Sequence, residues 1–181
     1  MTRRTGTISV RLDEELLNEL RKESTKDNTS INAVINTIVK EYMEWHRFAV
    51  KTGFVVLPKP LLVRIMDRIS EKELTRATEF LSKSEVKGLT ILMRKKWDVF
   101  SFLEGLESWA RASGLLLVHG VDGDMDVFIL RHEMGLKWSK FIGAMLRSLL
   151  QELVPKQFQL EVNNDDVCFK IGSKQLRDIK R

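Results

Sequence analysis

Residues 5 to 45 read TGTISVRLDEELLNELRKESTKDNTSINAVINTIVKEYMEW, and their periodicity changes from two-fold to helical. From Thr7 to Leu12 polar and apolar residues alternate, so a pleated strand puts Ile8, Val10 and Leu12 on one face and Thr7, Ser9 and Arg11 on the other. Leu16, Leu17 and Leu20 then recur at helical spacing. After a polar turn the pattern returns in Ile31, Val34, Ile35, Ile38, Val39, Tyr42 and Trp45. Asp13 is placed to cap the first helix, with Glu14 and Glu15 in its first turn, where the helix dipole favours negative charge. Asn28 is the expected left-handed residue of the turn and Ser30 the cap of the second helix, which runs to roughly Ala49 and is stopped by Gly53.

No second strand lies near Thr7–Leu12 in sequence to take up its backbone donors and acceptors, and an unpaired edge is costly or sticky. If the same strand of a second copy pairs with it antiparallel, a two-stranded ribbon forms on a two-fold axis and rests its apolar face on the helices of both chains. The expectation is a homodimer.

The segments ISVRLDEELLNEL and DNTSINAVINTIV, about the first quarter of the chain, resemble the ribbon-helix-helix family of transcription regulators, the MetJ, Arc and CopG-like proteins. The resemblance implies a sequence-specific regulator of transcription that binds double-stranded DNA with its β-ribbon in the major groove. Thr7, Ser9 and Arg11 would then face base edges. The amino terminus of the second helix, at Thr29, Ser30 and Asn32, would meet a phosphate. Arg3, Arg4 and Arg11, with no acid before Asp13, add local positive charge on and just before the ribbon. The alternative is an antitoxin-like or structural interaction protein that uses the same β-α-α module for dimerisation. Antitoxins of this family usually end in a short disordered tail, whereas residues 54 to 181 have the periodicity of a folded domain.

Overall basicity does not carry this reading. The net charge is +5, yet residues 1 to 50 hold eight basic and eight acidic side chains, and the excess falls in residues 51 to 100. The 43% hydrophobic content is that of an ordinary globular chain. The apolar runs are too short to span a membrane, no signal-peptide core follows the amino terminus, and the single Cys168 fits a reducing compartment, so a cytoplasmic protein is expected.

Beyond Gly53 the sequence predicts an α+β arrangement. Pro58 and Pro60 introduce a short helix carrying Leu61, Leu62, Ile65, Met66 and Ile69, and Ser70 with Glu73 forms a capping box for a helix to about Ser82. Ser84 opens a long helix ending before Gly114. LLLVHGV and DVFILRH around Asp122-Gly123 read as a hairpin, Leu136 to Leu153 as an amphipathic helix, and FQLEV and VCFKI as a second hairpin. The two hairpins are expected to form one antiparallel four-stranded sheet with the helix on one face, followed by a frayed tail from Ser173. The domains are thus 1–52 for DNA binding and dimerisation, 53–83 as a helical linker, and 84–181 for oligomerisation or sensing, with joining of dimers into higher oligomers favoured.

No catalytic constellation is present: there is no Gly-rich phosphate loop, nucleophile elbow or triad setting, and neither an enzyme nor a cofactor is expected. Asp122, Asp124, Asp126 and Glu133 mimic a calcium loop but lack the glycine at its sixth position, which is Val127. His119, His132 and Cys168 lack close ligand spacing, so no metal is expected there either. In RHEMGLKW, His132 and Trp138 could anchor a small molecule between sheet and helix; the competing reading is a strand-to-helix corner with Trp138 in the core.

Overall fold

Helical periodicity followed by two turn-bounded apolar hairpins builds helices first and a sheet last. A computed structural model describes residues 6–155 and 158–178, and the chain divides into two compact units, Met1–Tyr42 and Met43–Arg181. The division falls inside a continuous helical run, ten residues before the expected domain limit at residue 52.

The first unit contains α1 (Glu14–Lys26) and α2 (Ile31–Glu41). Asn28 has φ 49°, as the tight connection requires, and Ser30 Oγ accepts the Ala33 N–H at 3.1 Å. Asp13 stands at the start of α1, but its side chain makes no capping hydrogen bond. Thr7–Leu12 does not form the expected strand within the single chain: residues 6–13 have no regular structure. A strand exists only as part of a hydrogen-bonded ladder, and among the described residues no segment of this unit pairs with it.

From the last residue of the first unit the helical run continues as a π-helical turn (Tyr42–His46), then in the second unit as α3 (Arg47–Ala49) and a 3-10 turn (Val50–Thr52), and ends at Gly53 with φ 78°. Then come α4 (Lys59–Arg68) and α5 (Glu71–Phe80), the latter opened by the reciprocal Ser70–Glu73 capping box. The long helix expected from Ser84 is instead a π-helical turn (Leu81–Val86), α6 (Lys87–Arg94) and α7 (Val99–Ala112). The break has two local causes. Lys95 takes a left-handed φ of 64°, and Asp98 Oδ1 accepts the Ser101 N–H at 2.8 Å, which starts a new helix.

The hairpin β1 (Leu116–Asp122) and β2 (Met125–Arg131) turns at Gly123, whose φ of 58° suits the first position of a two-residue loop. α8 (Leu136–Leu153) leads to β3 (Phe158–Val162) and β4 (Asp166–Gly172), and the antiparallel sheet has the order β1-β2-β4-β3. One face presents Phe128, Leu130, Val167, Phe169 and Ile171 to Ile142, Leu146 and Leu150 of α8 and to Val99, Phe102 and Leu106 of α7. α8 lies so close to β3 that a Cβ on Gly143 would come within 2.6 Å of Val162. Residues 173–178 are not a frayed tail: they form α9 (Ser173–Asp178), and Leu176 joins the core.

Candidate nucleic-acid interface and apolar cavity

In the first unit Thr7, Ser9 and Arg11 are exposed, and so are Ile8 at 85% and Val10 at 65%. Arg3 and Arg4 lie outside the described residues. Leu17, Leu20, Ile31, Val34 and Ile35 are only half-buried, while Leu16, Ile38 and Val39 remain exposed. Among the described residues, no apolar side chain of this unit is buried. At the start of α2, Thr29 and Asn32 are exposed beside Ser30. The first turn of α2 carries no acid, and only the Ala33 N–H is taken by the cap. The N–H groups of Ile31 and Asn32 have no intrahelical acceptor, which with the helix dipole makes this end suited to an anion.

The sheet separates the residues that a metal reading would need to bring together. His119 stacks on Phe128 on the helix-covered face, with ring centroids 4.4 Å apart, and Asp126 Oδ1 bonds its Nε2 at 2.7 Å. Cys168 pairs with Ile129 and lies on the opposite face. Asp122 faces Lys170 at 3.1 Å. Among the described residues there is no group of three or more His, Cys, Asp or Glu side chains placed to hold a metal ion.

His132 and Trp138 do not share a pocket. His132 is fully buried and knots the corner between β2 and α8. The Met134 N–H donates to His132 Nδ1 at 3.0 Å, so the neutral ring carries its proton on Nε2 and donates to Ser139 Oγ at 2.8 Å; that hydroxyl in turn donates to the Asn164 carbonyl at 3.0 Å. The Asp165 carbonyl accepts the His132 N–H, and the Asp165 side chain accepts the Gly135 N–H at 3.0 Å. Burial pushes the His132 pKa below the ordinary imidazole value, against the opposing pull of Asp165 and Asp166. This is a structural corner, the competing reading of RHEMGLKW.

Trp138 instead lines an apolar cavity of about 270 Å³ inside the second unit. Its walls come from both π-helical turns, α6, α7 and α8, together with Phe54. Trp45 and Phe54 meet edge to face at 5.2 Å, Trp138 and Phe141 lie 5.5 Å apart, and Trp109 and Met93 also line the space. Glu44, beside Trp45, is tied to Arg111 of α7 at 3.3 Å. The sequence pointed to Trp138 alone, because the other walls are contributed by segments far apart in the chain.

No protein-family model matches the chain, and no curated protein matches it. Among the described residues no helix is long and apolar enough to cross a membrane.

Proposed function

We propose that the protein is a sequence-specific DNA-binding regulator of transcription, whose first unit pairs with that of a second copy to insert a β-ribbon into the major groove. The observation that carries the reading is an exposed Thr7–Leu12 of strictly alternating sequence in a unit whose described residues bury no apolar side chain. Pairing two such segments satisfies their backbone groups and covers Ile8, Val10 and the outer stripe of α2. Each aliphatic side chain fully buried in this way contributes about 1.5 to 3 kcal/mol. The opposite ribbon face then carries two copies of Thr7, Ser9 and Arg11, with Arg11 suited to a guanine edge. Phosphates would be met at Ser30 and Asn32. The folded second unit favours this reading over an antitoxin-like one.

Selection of duplexes from a random pool by the full-length protein, repeated with Arg11→Ala, tests it. An arginine–guanine pair is worth about 1 to 3 kcal/mol of discrimination. The variant should therefore keep its oligomeric state and lose preference at symmetric guanine positions. An unchanged selected sequence would show that the ribbon does not read the bases.

A further inference from the structure

The cavity of the second unit has the walls of a binding site. Protein interiors are close-packed, and voids wider than a water molecule are few. This one is partly open to solvent, with the exposed Phe54 and Glu85 in its wall, and at about 270 Å³ it exceeds the roughly 150 Å³ closed apolar cavity that takes up benzene. Two of its walls, Trp45 and Leu81, belong to the π-helical turns Tyr42–His46 and Leu81–Val86. Single π-helical turns within helices are rare and recur at functional sites.

The wall chemistry narrows the ligand. Three of the four tryptophans of the chain, Trp45, Trp109 and Trp138, line the space, and no Lys, Arg or His does. Thr90 Oγ1 is already committed to the Val86 carbonyl at 2.8 Å, and Glu85 is exposed to solvent. No buried charged group of the wall offsets the cost of burying a charge; the Trp138 indole N–H, buried without a partner among the described residues, can donate one hydrogen bond to a neutral ligand. We propose that the cavity binds an uncharged, largely apolar molecule about the size of two fused aromatic rings, held between the indoles. This site stands independently of DNA reading.

The test uses the full-length protein with naphthalene as the probe, read by thermal melting and by tryptophan fluorescence. Naphthalene should raise the melting temperature and change the fluorescence saturably. Naphthalene-2-sulfonate, the same rings carrying a charge, should bind roughly tenfold or more weakly. Gly105→Leu fills the space from α7, where a Cβ meets only Thr90 Oγ1 at 3.7 Å; with native circular dichroism retained, it should abolish the response. Met93→Trp fills the space from α6 and serves if Gly105→Leu does not fold. Three results would each overturn the proposal: no response up to the solubility limit of naphthalene, an equal response to the sulfonate, or an equal response in a folded cavity-filled variant. A change of sedimenting mass in Gly105→Leu would do so as well, because the space would then be filled by a second copy.

Discussion

The two units spend their apolar residues differently. In Met43–Arg181, Leu130, Leu146, Leu150 and Phe169 are wholly buried between sheet and helices, so the unit closes its own core. In Met1–Tyr42 the apolar stripes are just as regular, yet the described residues bury none of them. Local pattern therefore specifies α1 and α2, while the burial that would stabilise them must come from outside this unit. Helices of 13 and 11 residues are marginal in water without such packing.

A pair of truncations sharpens this contrast. Leu146→Ala removes a fully buried side chain and should cost about 2 to 5 kcal/mol, measured by urea unfolding and independent of protein concentration. Ile38 is 52% exposed in the single chain, so Ile38→Ala should cost less than about 0.5 kcal/mol if the unit stands alone. If a second copy covers α2, the cost should instead approach that of a core site, about 2 kcal/mol or more, and the melting temperature should depend on concentration. A small, concentration-independent effect would break the comparison.

A smaller effect probes the self-contained unit by pH. Burial lowers the pKa of His132 in the folded state, while the unfolded chain takes up its proton below about 6.5. The unfolded state then binds more protons between the depressed pKa and about 6.5, so stability rises with pH across that window and is lost as the pH falls through it. The urea midpoint should fall between pH 7 and pH 5 in the wild type, and fall less in His132→Gln. Equal slopes would mean that His132 does not couple the corner to pH.

Features set by a few neighbouring residues were legible in the sequence. Ser30, Asn28, Gly53 and the Ser70–Glu73 box lie where the caps and turns occur, and Leu136 and Leu153 bound α8 as the apolar stripe predicts. The break between α6 and α7 was hidden because Leu92, Met93, Phe100 and Leu103 keep a helical spacing across it; Asp98 before Ser101 was the overlooked cap. The π-helical turns leave no mark in hydrophobic periodicity. Thr7–Leu12 shows the opposite limit: alternation records which face would be buried, and among the described residues no segment forms a ladder with it. In the candidate sites, the exposure of Thr7, Ser9 and Arg11 does not distinguish the two faces of the alternation, since Ile8 and Val10 are exposed in the single chain as well. The cavity did not follow from the sequence pattern, since Trp45, Met93, Trp109 and Trp138 converge only through packing.

Sedimentation equilibrium of the full-length protein tests the central claim most directly. The account predicts a two-chain mass or a multiple of it at micromolar concentration, shifting toward one chain when Val10→Lys places a charge on the covered ribbon face. A wild-type protein that sediments as a single chain across that range, with its helical circular dichroism intact, would contradict it.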